Sequence, residues 1–542
     1  VGDLAYRRVG LALAAAAALA AAGCAARPGP PPLVQQGEEY PGEAEPTTTT
    51  TPAPPRPQRT QVQVASQPLR AGLNPHLLAD ESALVSAIAD LTLPSAFSGG
   101  ERNSDLLAGA TVLPSSPGAM TVRYVITGEA QWSDGTPITG ADFVYLWRAM
   151  KSTPGVIDPA GYRAISDIRV SGPLGKTVDV NFSAPVGDWR GLFAHLMPSH
   201  LLEPDASDFA TAAAETLPAS AGRFMVHGVD RARGTITLNR NDRFWGRGTA
   251  AVDVVSIVAS RSTAQTTDRL RSGQVAFVDM IPDQTTREAF SLLPGTQVRM
   301  VDGPRTLGVS VSVTSPIVGD IEAREALSSL IDVPLVARLA AGRDADLSVA
   351  AYDNTASPNP GVLTQRATPS RPLRIAADAA DPEATAAARS IVDLAVRRGV
   401  PAKVVSTDAL SIVSGGLASD SIDAVVHYVP GTQAPNELAS RLYCQPADYR
   451  AGNLTGLCTP HTEELADAIL AGRIAPAQAR AAVEEALGRE RVWIPLLYER
   501  RIQALGQGIV GPDPDVANWP GGLDTAASWR LAEGYAEASG KQ

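Results

Sequence analysis

The sequence predicts a mixed α/β fold, α/β or α+β in class, with more than one hydrophobic core, on three observations. From Gln61 onward, stretches with apolar residues at every second position alternate with stretches whose apolar residues recur at helical spacing. No repeat of solenoid length runs through them. The chain has 542 residues, 44% apolar and 19% charged, which is long enough for several domains and ordinary enough in composition to bury large cores.

The strands are marked by period two: Val122, Tyr124 and Ile126; Val178, Val180 and Phe182; Ile236 and Leu238; Leu307, Val309, Val311 and Val313. Helices are marked by their ends. Thr139 and Asp142 form a capping box ahead of Phe143, Leu146, Trp147 and Met150. Asp320 caps a helix whose buried stripe is Ala323, Ala326, Leu327, Leu330 and Ile331. Asp381-Pro382 opens another through Ala384, Ala387, Ala388, Ile391 and Ala395; Arg397 and Arg398 match its C-terminal dipole and Gly399 ends it. Pro476 and Gly488 are expected to bracket a further helix. The stretch from Tyr352 to Pro372, rich in Pro, Asn, Thr and Ser, reads as a long surface loop.

Ahead of these elements lies an address and a tether. Arg7 and Arg8 precede an apolar run from Val9 to Ala22, about 14 residues and short of the ~20 that cross a bilayer as a permanent helix. It closes on Ala21-Ala22-Gly23-Cys24, which resembles a bacterial lipobox with its usual leucine displaced to Leu19. Residues 1–23 are therefore expected to be a signal peptide and Cys24 the lipidated residue; diacylation supplies the two chains that stable anchoring needs. Residues 24–60, dense in Pro and Thr, read as an extended stalk reaching roughly 100 Å at ~3.1 Å per residue. The expected location is the extracytoplasmic face of the cell membrane. The remaining cysteines, Cys444 and Cys458, would close a loop of about 15 residues worth roughly 3 kcal/mol. Export favours that disulfide over two free thiols.

Formal net charge is -11 and no basic run is interleaved with aromatics, so nucleic acid is not an expected partner. The chain lacks the spacings of a phosphate-binding loop, a zinc-protease helix or a serine-nucleophile elbow, and His76, His195, His200, His227, His427 and His461 are scattered. No enzyme activity, cofactor or metal site is expected.

The segment Gln131-Trp-Ser-Asp-Gly-Thr-Pro-Ile-Thr-Gly-Ala-Asp-Phe-Val-Tyr-Leu-Trp147 resembles the signature of family 5 bacterial solute-binding proteins, the dipeptide- and oligopeptide-binding group. Landmarks similar to that family follow in order: Leu73 to His76, Gly222 to Phe224, Leu238 to Gly246, Ala323 to Asp332, and Trp493 to Tyr498. Gly72 to Leu78 with Leu93 to Phe97, and Asn453 to Gly456 with Cys458, resemble an actinobacterial lipoprotein branch, the LpqW type, linked to control of phosphatidylinositol mannoside and lipoarabinomannan synthesis. The resemblance implies a two-lobed type II periplasmic-binding fold joined by two crossover strands. Lobe 1 would be 61–302 plus 490–535, with a subdomain at about 76–182, and lobe 2 would be 303–489. Hinges are expected near Arg305 and Val492.

What the resemblance implies for function is capture of a small-molecule, peptide or glycolipid ligand between the lobes by a monomer. The membrane partner would be an ABC permease or a glycosyltransferase. Peptide-binding members hold the ligand's ammonium with a lobe 2 aspartate, because a buried ammonium needs a carboxylate. The corresponding stretch here, Asp423 to Asn436, carries no acid after Asp423, and Tyr428 stands where the family has Trp. Expected ligand residues are Asn74 and His76, Arg305 and Thr306 at the first crossover, His427 and Tyr428, and Tyr498 at the second.

Overall fold

The computed structural model describes residues 59–114, 119–202, 209–352, 359–431, 434–445 and 448–532. The expected signal peptide, Cys24 and all but the last two residues of the expected stalk lie outside these. Among the described residues no helix is long and apolar enough to cross a membrane.

The longer strands are β1 (Gln61–Ser66), β2 (Leu107–Val112), β3 (Met120–Ile126), β4 (Ile165–Ser171), β5 (Thr177–Phe182), β6 (Phe224–Asp230) and β7 (Thr235–Arg240). They continue as β8 (Val254–Ala259), β9 (Phe277–Met280), β10 (Gln297–Val311), β11 (Leu373–Asp378), β12 (Ala402–Thr407), β13 (Ala424–Pro430) and β14 (Trp493–Leu505). Helices used below are α1 (Ala83–Thr92), α2 (Gly140–Ser152), α3 (Ile321–Leu330), α4 (Val333–Ala341), α5 (Pro382–Arg397), α6 (Pro435–Ser440) and α7 (Pro476–Arg489).

One large mixed sheet runs β12-β11-β13-β10-β14-β9-β1-β8-β7-β6, and a separate antiparallel sheet runs β2-β3-β5-β4. In the large sheet the parallel pairs β1–β8 and β1–β9 lie on one side of β10 and β14, and β11–β12 and β11–β13 on the other. In the small sheet Val122, Tyr124, Val178, Val180 and Phe182 point inward onto α2, as period two requires. α2 starts where expected: Thr139 Oγ1 accepts from Ala141 N at 3.2 Å and Asp142 Oδ2 accepts from Thr139 N at 2.9 Å. The turn before it needs Gly135, whose φ is 93° and whose missing Cβ would meet Arg243 Nη1 at 2.6 Å.

The two largest apolar cores are distinct. One gathers side chains from β1 to β9 and returns at Leu505 to Trp529; the other gathers Leu307 to Tyr428 with Ile494, Leu496 and Leu497. Strands β10 and β14 serve both sides. Along β10, Val298 and Met300 pack with Ile502 and Ala504, whereas Leu307 onward belongs to the second core. Along β14 the change falls between Leu497 and Ile502, later than the expected Val492, which packs in a smaller cluster with Leu438 and Leu487. The first residues of β14 remain paired to the second-core half of β10, Trp493 to Ser310 and Leu497 to Leu307, so the strand crosses only after them.

Where both strands cross, the ladder is irregular. Asp302 pairs with Arg500 and Thr306 with Tyr498, so Gly303, Pro304 and Arg305 face Glu499 alone. Gly303 is needed there because a Cβ would lie 2.5 Å from Glu499 Cγ.

The caps at Asp320 and Asp381 and both buried stripes form as read. Two readings are corrected. The stretch 352–372 is not loop throughout, since Gly361–Arg366 is helical with Leu363 buried in the second core. Helix α7 runs through Gly488 to Arg489, and the left-handed residue beyond it is Arg491, with φ 50°. Cys444 and Cys458 are joined by a disulfide with Cα atoms 5.1 Å apart.

Candidate functional site

A cavity of about 350 Å3 lies between the two cores. The first core supplies Gln67, Pro68 and Arg70 after β1, Ser82 to Leu84 at the start of α1, and Ile281 to Asp283 after β9. The second supplies Ala340 to Arg343 at the end of α4, Ala380 to Glu383 at the start of α5, Arg305 and Tyr428. Three helix ends therefore converge on it.

Charge spans the gap beside this cavity. Arg305 Nε and Nη2 each donate to Glu499 at 2.9 Å, and Nη1 reaches Glu81 Oε2 at 3.3 Å. Glu499 also accepts from Arg501 at 3.2 Å, and Arg501 Nε donates to Asp279 at 2.8 Å. The resulting chain, Asp279–Arg501–Glu499–Arg305–Glu81, alternates in sign and is almost wholly buried. Burial pushes the Glu499 carboxyl up, but Arg305 and Arg501 outweigh it and hold it down at about 2. A second bridge joins Arg70 to Asp381, whose other oxygen caps α5 by accepting from Ala384 N at 3.0 Å. Tyr428 donates to Glu383 in the first turn of α5, and the Arg305 guanidinium stacks 4.2 Å from the Tyr428 ring centre. Burial raises the Glu383 carboxyl above its ordinary range.

The expected ligand residues divide. Arg305 and Tyr428 line the cavity, although the Arg305 nitrogens are already engaged by Glu499 and Glu81. Asn74 and His76 do not line it. Asn74 is fully buried, donates to Phe209 O at 3.0 Å and accepts from His76 N at 3.1 Å. His76 Nε2 donates to His195 O at 3.0 Å, and burial lowers its pKa to about 4. Both organise a buried loop. His427 Nδ1 donates to Tyr428 O at 2.9 Å, so Nε2 accepts from Ser310 Oγ, also at 2.9 Å, and burial holds the ring at about 4. That ring faces a smaller hollow with Asp158 and Glu437. Thr306 and Tyr498 pair across the crossing strands outside the cavity lining, Tyr498 being 36% exposed.

Several lining groups were not singled out from the sequence: Arg70, Arg343, Asp381 in its bridging role, and Glu383. Asp381 and Glu383 open α5, where a carboxylate reads as capping and dipole matching, and Arg70 and Arg343 stand in connecting segments that carry no periodic signal. Among the described residues Cys444, Cys458 and Glu463 come close enough together to hold a metal, but the two sulfurs are bonded to each other.

Comparison with known proteins places this geometry. Residues 110–395 match the family model described as bacterial extracellular solute-binding proteins, family 5 middle. The chain belongs to family 5 of the bacterial extracellular solute-binding proteins. Within it, the chain is 33% identical over 326 residues to the probable monoacyl phosphatidylinositol tetramannoside-binding protein LpqW of Mycobacterium tuberculosis, covering 58% of this chain and 49% of that protein. It is 28% identical over 273 residues to the oligopeptide-binding protein OppA of Mycobacterium bovis, covering 48% and 45%. The chain thus spans about half the length of the curated relatives it matches. Among solved structures, the oligopeptide-binding protein AppA of Bacillus subtilis with a nonapeptide superposes at TM-score 0.66 with 13% identity, over 88% of this chain and all of that one. The periplasmic EDTA-binding protein EppA superposes at 0.64 with 22% identity, over 88% and 97%. These neighbours share the mixed α/β fold of family 5 binding proteins, and the relatives are solute-binding proteins rather than enzymes.

Against the family 5 pattern, the stretch after Asp423 stays without a carboxylate. Asp423 itself is fully buried and taken by Arg374, whose Nε and Nη2 donate at 2.9 and 2.8 Å. The carboxylate nearest Tyr428 comes instead from Glu383 on α5.

Proposed function

We propose that this chain is the ligand-capturing component of an extracytoplasmic system, binding a small solute between two lobes. The lobes correspond to the two apolar cores, and hinge motion at the β10 and β14 crossings opens and closes the gap. The observation that carries this reading is the cavity of about 350 Å3 walled by both cores and bridged by Arg305–Glu81 and Arg70–Asp381. Its volume is at the small end of the ~300–1,000 Å3 of ligand sites. Diacylation at Cys24 anchors the protein to the membrane, and an ABC permease receives the solute. Membership of family 5 and the OppA relatives support delivery to a permease.

A second reading is favoured by the higher identity to LpqW, 33% against 28%. On that reading the protein recognises a glycolipid and governs a membrane glycosyltransferase instead of feeding a transporter. Deleting the gene separates the two, through lost uptake of a solute or altered cell-envelope glycolipids.

The test of capture is native mass spectrometry of the full chain in detergent, before and after collisional activation. A released small molecule is expected from the wild type and not from Ala340→Trp, which fills the cavity. Equal release from both would place binding elsewhere and overturn the reading.

A further inference from the structure

The charged groups that line the cavity are satisfied, with one exception. Arg70 is paired with Asp381, and Arg305 with Glu499 and Glu81. Glu383 accepts from Tyr428, and the exposed Asp283 accepts from Thr263 Oγ1 at 2.9 Å. Arg343 is different. Gly342, left-handed at φ 63°, ends α4 and sends the next side chain inward, where Arg343 is only 4% exposed. Its Nε is buried without a hydrogen-bond partner. Among the described residues its nearest carboxylate oxygen is Glu383 Oε1, 3.8 Å from Nη1 and beyond hydrogen-bond reach. A guanidinium held this way is costly unless something anionic meets it.

The rest of the lining states what that anion is attached to. Pro68, Leu84, Ile281, Pro282, Ala340 and Ala341 are apolar and surround the same space. Resting on the reading that ligand binds in this cavity, we propose that Arg343 is an anion-binding residue. It receives the carboxylate or phosphate of a small amphiphile whose hydrocarbon part lies against Leu84, Ile281 and Ala340. The planar fork of the guanidinium suits both head groups, since each offers a pair of oxygens. The volume admits one such head with a short chain. A longer substituent leaves through the gap between the cores.

The experiment is calorimetric titration of the full chain with four probes of one chain length: hexanoate, hexyl phosphate, 1-hexanol and hexyltrimethylammonium. Three variants accompany the wild type. Arg343→Met removes the charge and keeps the volume, Arg343→Lys keeps a charge without the fork, and Ala340→Trp fills the cavity. Expected is binding of at least one anion, with the alcohol and the ammonium much weaker. Arg343→Met should lose roughly 10- to 100-fold in affinity, with Arg343→Lys between it and the wild type. The tighter of hexanoate and hexyl phosphate names the head group. Arg343→Met should also unfold close to the wild-type temperature, because the Arg343–Glu383 pair is too long for a hydrogen bond and Glu383 keeps its bond from Tyr428. A marked fall would mean that the residue is structural, and would overturn the assignment.

Anion binding unchanged in Arg343→Met, equal binding of the alcohol or ammonium, or no anion binding at all would also overturn it. The underlying reading fails separately, when probes or co-purified ligand bind Ala340→Trp as well as the wild type.

Discussion

Glu499 is the residue on which the crossing depends. It is fully buried, faces three residues of β10 across the irregular ladder, and holds both Arg305 and Arg501. Replacing it by Gln leaves two buried guanidinium groups short of a counter-charge, and a loss of about 3–5 kcal/mol is expected in urea denaturation. Because its folded pKa, about 2, is below the ordinary 4.5, its contribution is complete above 4.5. That contribution is lost as pH falls from 4.5 toward 2, and Glu499→Gln should remove this part of the acid sensitivity. His427 acts in a higher window. Its folded value, about 4, lies below the ordinary 6.5, so between those values the unfolded chain binds the extra proton. This group alone is expected to lower stability by about 2–3 kcal/mol as pH drops from 6.5 to about 4, and His427→Gln should reduce the slope of urea midpoints across the window while leaving the like contribution of His76. Arg305 and Tyr428 were legible as cavity residues through the family resemblance. Asn74 and His76 were equally legible as polar residues in a matching segment, and the fold uses them for loop packing.

Helices and strands were readable where their signal is local. The stripe Ala384, Ala387, Ala388, Ile391 and Ala395 on α5 is buried residue for residue, because helical spacing alone decides which side chains share a face. The same holds for the inward rows of β3 and β5 and for the box at Thr139 and Asp142. The end of α7 was misread because Gly488 is tolerated inside a last turn, with the chain reversal left to Arg491. Asp381 serves two elements at once, as cap of α5 and as the partner of Arg70. Asp381→Ala should cost about 0.5–2 kcal/mol from the cap in addition to the lost bridge, and Asp381→Asn should keep most of the cap while losing the bridge. Thermal midpoints of the two variants separate these contributions. If the bridge is a closing contact, Asp381→Asn also enlarges the solution radius measured by small-angle scattering.

For the whole molecule the Cys444–Cys458 disulfide closes a loop with a sequence separation of 14. Replacing both by Ser should lower stability by roughly 3 kcal/mol, read as a shift in the urea midpoint. The effect should be reproduced by reducing the wild type. Anchoring is tested at Cys24: Cys24→Ala should abolish labelling by radioactive palmitate and release the protein from the membrane fraction. Label retained in that variant would place any acyl chain elsewhere.

Composition, periodicity and helix ends, all short-range properties, determined the fold class, the secondary elements and the absence of familiar catalytic motifs. Matched segments, again contiguous, determined the family. What only the folded chain decided is which elements come face to face. Arg70 meets Asp381, Glu81 meets Arg305, and Arg343 comes beside Glu383 without a hydrogen bond between them, although none of these pairs is near in sequence. The physical reason is that burial and pairing of charge depend on long-range packing of two cores, and no local window of residues carries that information.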